Sequence, residues 1–492
     1  MSSHTPAAAP LETSAEPQVA GRAATLSLLV VLFASFMDLL DVTIITVAAP
    51  DIAATLGASQ AQLQWMLAAY VLALGSGLIT GGRMGDAFGR RRIFLLSLTG
   101  FALASAACAL APSAGMLIAL RAVQGLAGGF MVPQVFGIIR SSFAPAAMAA
   151  AFGAYGAVQG LASVAGPLLG GALVDADLWG LGWRAIFWIN VPVAAVALAL
   201  GLRFLPESRA PGTTRLDVTG ALLAAGGVFL LLLPLVQGRD WGWPLWGWAL
   251  LALGLLVLVL FLAYERHVAR RGGHPVLDPA LLAIRPFSAG LVAAVFFFGG
   301  LGSFFLVLSL YLQLGTGRTA WETGLVILPY AIGSIITSGA GVALAAKAGR
   351  TLLVTGSLTL AASQGLLWWL VRDGATPGYW SLAGVMFLGG LGLGLGAPIL
   401  VNVVLAGVPA RQAGAAGGVL STVNQIGGAI GIAILATVFF NALPVAPADA
   451  AGSQAQVFGR ALAHVMPWQV AAYLLAAVAM LALPKTAAPH QG

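Results

Sequence analysis

Long apolar runs alternate with short polar segments along this chain, and the runs share one length. Fourteen of them reach about 20 residues. They lie at roughly 23–48, 61–82, 93–111, 116–138, 149–173, 184–203, 218–237, 245–264, 286–311, 322–345, 351–371, 379–405, 413–440 and 466–484. A helix of about 20 residues rises about 30 Å, the thickness of a bilayer's hydrocarbon core. Lipid offers the backbone no hydrogen bonds, so each run is expected to form a helix that satisfies its own polar groups. An even number of crossings would put both termini on one side. Residues 1–21, rich in Ala, Pro and Ser, read as a disordered cytoplasmic tail without a visible cleavable signal peptide, and 485–492 as a second tail.

The basic residues choose the side. Of 23 Lys and Arg, 17 fall in the tails and in alternate loops of one parity, and five in the loops of the other; Arg121 lies inside a run. Excess Arg marks the cytoplasmic face, so both termini are expected there. The net charge of +7 is therefore a topology signal and not a nucleic-acid surface. Trp241, Trp243, Trp246 and Trp248 crowd one outer boundary as part of an aromatic belt.

Composition agrees with a membrane protein. Charged residues make up 8% of the chain, against about 25% in soluble domains, and mean hydropathy is +0.96. Cys108 is the single cysteine, and the five histidines lie in tails and loops without metal-ligand spacing. No disulfide, metal or other cofactor is expected. No phosphate-binding loop is present, which excludes ATP as the energy source. A membrane enzyme would need a nucleophile and base or a metal set inside the runs, and no His or Cys pair lies there.

A faint repeat divides the chain. Gly89-Arg90 follows the second run and Gly349-Arg350 follows the tenth, 260 positions later. Two halves of six runs with two more between them give this offset: 22–203, a linker at 204–285 and 286–484. Parallel repeats around a central path are a transporter architecture.

Several segments carry a family resemblance. Gly82-Arg83-Met84-Gly85-Asp86-Ala87-Phe88-Gly89-Arg90-Arg91-Arg92 resembles the loop between spans 2 and 3 of the major facilitator superfamily. Arg121-Ala122-Val123-Gln124-Gly125 is similar to its fourth-span motif. Gly166-Pro167-Leu168-Leu169-Gly170-Gly171 is similar to the fifth-span motif of its antiporters. Leu40-Asp41-Val42-Thr43-Ile44 resembles the first-span motif of drug exporters, and Trp183 to Pro192 the sixth-span entry of the fourteen-span branch. The resemblance covers nearly everything after the tail. It implies an all-α integral membrane protein with the major facilitator fold: two six-helix bundles plus two extra central helices. It also implies a monomeric drug/proton antiporter of the bacterial cytoplasmic membrane, with a lipophilic small molecule and protons as its partners.

The residues fit that reading. Acids at membrane depth are costly and are functional candidates. Asp38 and Asp41 lie three positions apart on one helix, and two acids this close do not titrate independently. Arg121 needs a carboxylate or carbonyl partner, and Asp41 or Asp38 could supply it. The resemblance ties Asp41 and Arg121 to proton coupling. Asp86, with Gly85, Gly89, Arg90 and Arg91, could act as a conformational latch by pairing with an arginine or with the positive N-terminus of a facing helix. Gly166, Pro167, Gly170 and Gly171 would let the fifth helix bend or pack closely. The Gly-rich run 389–396 reads as a packing face. Trp65, Tyr70, Gln124, Gln159, Tyr330, Asn402, Asn424 and Gln425 are candidates for a substrate cavity with apolar walls and a few polar groups.

Energetics add a constraint. A proton entering across 100 mV releases about 2.3 kcal/mol. One proton exchanged for one monovalent cation cancels the voltage contribution, whereas two protons restore it. Export or import of one specific metabolite remains the alternative.

Overall fold

A computed structural model describes residues 22–143, 145–209, 217–409, 412–443 and 454–484. Both expected tails, residues 444–453 between the last two apolar runs, Arg215 and Arg411 lie outside the described residues, as do the side chains of Pro167 and Lys347. Among the described residues every regular element is helical.

Helices fill the apolar windows. They are α1 (Arg22–Leu56), α2 (Gln60–Phe88), α3 (Arg90–Ala109), α4 (Ala114–Ser142), α5 (Pro145–Asp175), α6 (Ala185–Trp188), α7 (Asn190–Phe204), α8 (Val218–Gln237), α9 (Leu245–Arg270), α10 (Arg285–Leu310), α11 (Ala320–Val371), α12 (Tyr379–Ala406), α13 (Ala413–Asn441) and α14 (Gln454–Met480). Polar residues just before the runs start several of them. Ser59 and Gln62 form a capping box on α2, Thr319 and Glu322 another on α11, and Asp217 caps α8.

Two windows differ from simple separate helices. Runs 322–345 and 351–371 belong to the 52-residue α11, interrupted only by non-helical backbone at Ala348 (φ −137°, ψ 29°). The single-residue break suffices because no proline and no long polar loop separates them. The sixth window begins with the one-turn α6, continued by α7 after Ile189. Twelve helical stretches among the described residues are long and apolar enough to cross a membrane. The 31-residue α5 and the limb of α11 before Ala348 occupy the other two windows.

The helices form two groups. In the first, α1 packs on α5 and α7, and α4 on α2 and α3; in the second, α10 packs on α13 and α14, and α11 on α12 and α14. The groups meet where α2 and α4 touch α13, and where α5 touches α11 and α12. α8 lies against both α2 and α13, and α9 packs on α8.

The faint repeat has a structural counterpart. A Cβ on Gly125 of α4 would run into the carbonyl oxygen of Tyr70 on α2. A Cβ on Gly390 of α12 would run into that of Tyr330 on α11. Tyr70 and Tyr330 stand 260 positions apart, the offset of the two Gly-Arg pairs. Backbone close approach at equivalent crossings is what small residues permit at membrane helix contacts.

Candidate functional site

Two buried polar clusters lie at different levels of the first bundle. The deeper one centres on Asp41. α1 carries Asp38 and Asp41 one turn apart, α4 carries Arg121 and Gln124 one turn apart, α3 supplies Ser105, and α7 opens with Asn190. Arg121 Nη1 forms an ion pair with Asp41 Oδ2 and also donates to Gln124 Oε1 at 2.9 Å. Gln124 Nε2 and Asn190 Nδ2 both donate to Asp41 Oδ1, at 2.9 and 2.8 Å. Asn190 reaches Ser105 Oγ at 3.0 Å, and Ser105 donates to the Phe187 carbonyl at 2.8 Å. Arg121 Nε donates to the Met66 carbonyl at 3.3 Å, and its guanidinium lies 4.2 Å from the Tyr70 ring centroid. Both Asp41 oxygens are thus occupied, and Asp41, Arg121 and Gln124 are fully buried.

Asp38 is placed differently. It is half-buried and accepts one hydrogen bond from the Tyr70 hydroxyl at 2.6 Å. The choice left open by the sequence falls on Asp41 as the contact partner of Arg121. A neutral hydroxyl faces Asp38 where a cation faces Asp41, so the two acids share a helix but not an environment.

The second cluster lies at the arginine-rich end. Asp86, fully buried near the end of α2, receives Arg90 Nη2 at 2.8 Å and Nε at 3.2 Å. It also accepts the backbone N–H groups of Gly414 at 3.2 Å and Ala415 at 3.0 Å, in the first turn of α13. A carboxylate at a helix N-terminus satisfies orphan donors and meets the positive end of the helix dipole. Both partners proposed for a latch are therefore present at once, one from each bundle. A Cβ on Gly414 would lie 2.6 Å from Asp86 Oδ1 and 2.6 Å from the Gly82 carbonyl oxygen, so two glycines bring α2 and α13 together.

Gly89 turns α2 into α3 at φ +105°, a conformation L side chains rarely adopt. Beside it, Glu207 accepts the backbone N–H groups of Arg91 and Arg92, both at 3.2 Å, and so caps α3. Arg91 donates to the Leu202 carbonyl, and the Arg90 N–H to that of Ser208 at 2.9 Å. From α4, Arg140 reaches the carbonyls of Val408 and Ala406 beyond and at the end of α12. The arginine loop is thus tied to the linker, while Asp86 and Arg140 cross to the second bundle.

Other candidates scatter. Gly166, Pro167, Gly170 and Gly171 all lie in α5, where Gly166 faces Thr43 of α1 so closely that a Cβ would overlap its hydroxyl. Of the cavity candidates, Tyr70 and Gln124 belong to the Asp41 cluster. Gln159 bonds to the Tyr155 hydroxyl on its own helix at 2.6 Å. Tyr330 is sealed among Phe304 and Phe305. Trp65, Asn402, Asn424 and Gln425 are half-buried on α2, α12 and α13. Glu207 and Arg140 were not singled out from the sequence, and Asn190 stood within the Trp183 to Pro192 motif without a role of its own. A lone amide at membrane depth was the available signal for Asn190; Glu207 and Arg140 looked like ordinary loop charges.

Comparison with known proteins agrees with this fold. Residues 31–432 match the profile of the Major Facilitator Superfamily. The chain is 41% identical over 421 residues to a probable actinorhodin transporter of Streptomyces coelicolor, covering 84% of this chain and 72% of that one. It is 37% identical over 418 residues to a tetracenomycin C resistance and export protein of Streptomyces glaucescens, covering 83% and 74%. A solved proton:xylose symporter superposes with a TM-score of 0.64 at 14% identity, over 93% of this chain and 95% of that one. That likeness shows the fold alone. A helical chain of two packed bundles, with long apolar helices, a buried Asp–Arg pair and relatives of this kind, belongs to the Major Facilitator Superfamily, as a multi-pass protein of the bacterial plasma membrane.

Proposed function

We propose that this chain exports antibiotic- or drug-like organic molecules in exchange for protons, by alternating access between its two bundles. In this reading the chain crosses the membrane fourteen times, and the arginine-rich end with both termini is cytoplasmic. The observation that carries the proton coupling is the unequal pair of acids on α1. Asp41 is locked to Arg121, Gln124 and Asn190, whereas half-buried Asp38 accepts, among the described residues, a hydrogen bond from the neutral Tyr70 hydroxyl. Asp38 is the acid that a proton or a cationic cargo meets first, and Asp41 senses its charge one turn away through Arg121.

The export direction rests on the relatives, which are named as an antibiotic transporter and an antibiotic export protein. In this reading, Asp86 seated on α13 holds the cytoplasmic end closed. The test uses inside-out or reconstituted vesicles with an imposed pH gradient and a panel of lipophilic cations and neutral antibiotics. Adding a transported compound should release lumenal protons, and Asp38→Asn or Asp41→Asn should abolish the release. Release that survives both substitutions overturns the coupling assignment. Because both relatives are named for single antibiotics, a narrow-specificity exporter is the second reading, and response to one compound class alone would support it.

A further inference from the structure

We infer that the inserted helices α8 and α9 travel with the second bundle and form an outer brace of the cytoplasmic gate, with Asp278 and Glu265 as its positioning residues. The inference rests on the alternating-access reading above. It begins from the directional contacts the insertion makes. On the second-bundle side they occur at both ends of α13. At the cytoplasmic end, Asp278 Oδ2 accepts from Gln412 Nε2 at 2.7 Å, and Gln412 is the residue immediately before α13. At the opposite end, the Arg239 guanidinium lies 3.5 Å from the Phe440 ring centroid. The insertion is thus fastened at the top and bottom of one helix.

The connector between α9 and α10 is pinned in turn. Glu265, fully buried in the last turns of α9, accepts the N–H of Leu277 at 3.2 Å. A Cβ on Gly220 of α8 would lie 3.1 Å from Val276, so α8 covers the same segment. Asp278 itself caps the short turn that leads into α10 by accepting the Ala280 N–H at 2.9 Å. From Asp217, which caps α8, the insertion is held to itself and to α13.

On the first-bundle side the contact has another character. α8 faces α2 through packing, with the Leu232 side chain over Gly75, where a Cβ would come within 2.5 Å. Arg83 of α2 is largely buried and within electrostatic range of Asp86, Glu265 and Asp278. This cation faces three acids, one from its own bundle and two from the insertion. Among the described residues, the first bundle's hydrogen bonds to the linker go to Phe204, Glu207 and Ser208, ahead of α8. Packed apolar surface can slide, whereas a hydrogen bond at one end of α13 and a cation over a ring at the other hold register. When Asp86 leaves α13, α2 should therefore slip along α8, and Arg83 should move away from Glu265 and Asp278.

Spin-label distance measurements on the full chain in liposomes test this without any cargo. Labels would replace the exposed residues Arg270 at the end of α9, Arg92 of the first bundle and Leu481 after α14. Asp86→Asn opens the gate, which the Arg92–Leu481 distance reports. The expected result is a shift of several Å in the Arg270–Arg92 distance while the Arg270–Leu481 distance stays constant. Adding Asp278→Ala should broaden the Arg270–Leu481 distribution. Constancy of Arg270–Arg92 with a shift in Arg270–Leu481 would mean that the insertion rides with the first bundle, and shifts in both would mean that it follows neither; each overturns the inference. No change in any pair would overturn the gate reading and this inference together.

Discussion

The Asp86 carboxylate on α2 accepts the N–H of Ala415 on α13 at 3.0 Å, across 329 positions of sequence. Its other oxygen, Oδ1, holds Arg90 and the Gly414 N–H, so one side chain bridges an interface between bundles. Hydrogen bonds to a charged group are worth about 1.5–3 kcal/mol each, and each 1.4 kcal/mol is about a tenfold change in an equilibrium. Asp86→Asn keeps the shape, removes the charge and should shift the population toward the cytoplasm-open state by roughly tenfold or more. Labelling of a cysteine placed at the cytoplasmic mouth should speed up accordingly. Labelling at the wild-type rate would show that the carboxylate is not a latch.

Gly414 permits that interface. Alanine there would place a methyl 2.6 Å from both Asp86 Oδ1 and the Gly82 carbonyl. Those neighbours are a carboxylate already bonded on both oxygens and a helix backbone, and neither yields cheaply. Gly417 provides a control on the same helix, since its added methyl would stand 3.1 Å from Phe136 Cβ, which a small adjustment relieves. Gly414→Ala should lower transport about tenfold or more, by the equilibrium arithmetic used for Asp86, and favour the open cytoplasmic end. Gly417→Ala should lower it by less than about threefold. Equal effects would mean that bulk anywhere on α13 matters and that the glycine contact is not special.

Much of this was legible in the sequence, and for identifiable reasons. Lipid forces helix on every long apolar run, so the all-helical character could be read without knowing any contact. The position of Asp86 beside four arginines announced a polar turn, and its two partners followed from charge and the helix dipole. The partner helix did not, because Gly414 and Ala415 sit in an Ala/Gly-rich run that carries no polar signal. Tyr70 and Gln124 read as cavity residues because hydropathy cannot tell a side chain turned to a path from one turned to a neighbouring helix. Asn190 escaped for the opposite reason. It supports Asp41 from α7, 149 positions away, and nothing local marks that distance.

Arg121 and Asp41 should be energetically inseparable. Removing one partner of a buried ion pair costs about 3–5 kcal/mol, because the remaining charge is stranded. Arg121→Gln should therefore lower the thermal unfolding temperature strongly. Asp41→Asn combined with Arg121→Gln should recover more than half of that loss while remaining inactive in transport. Arg121→Lys should fold yet transport poorly, since an ammonium lacks the planar fork that serves Asp41, Gln124 and the Met66 carbonyl together. If the double variant is no more stable than Arg121→Gln alone, the pair is not the source of the penalty.

Asn190→Ala tests the support to which the sequence assigned no role. It removes one hydrogen bond to a charged oxygen and leaves Ser105 with a free acceptor. A loss of about 1.5–3 kcal/mol in that bond predicts transport lowered by roughly tenfold or more, with folding retained. The readout is initial transport rate beside thermal unfolding on the same preparation. A collapse of folding with the residual rate per folded molecule unchanged would make Asn190 a packing residue only.

The two acids on α1 give the last prediction, through voltage. With one proton exchanged for one monovalent cation, no net charge crosses, and the potential does not matter. If Asp38 and Asp41 each carry a proton, one net charge enters per cycle and about 2.3 kcal/mol per 100 mV is added to the drive. Wild-type efflux of a monovalent cation should then accelerate when an inside-negative potential is imposed at fixed pH gradient. Asp38→Asn removes the half-buried acid while leaving the Asp41–Arg121–Gln124–Asn190 contacts untouched. Any efflux remaining in that variant should lose its dependence on potential, and Tyr70→Phe, which takes away only the hydroxyl on Asp38, should keep it. Equal wild-type rates with and without the potential would exclude two-proton exchange and leave a single proton for the two acids to share.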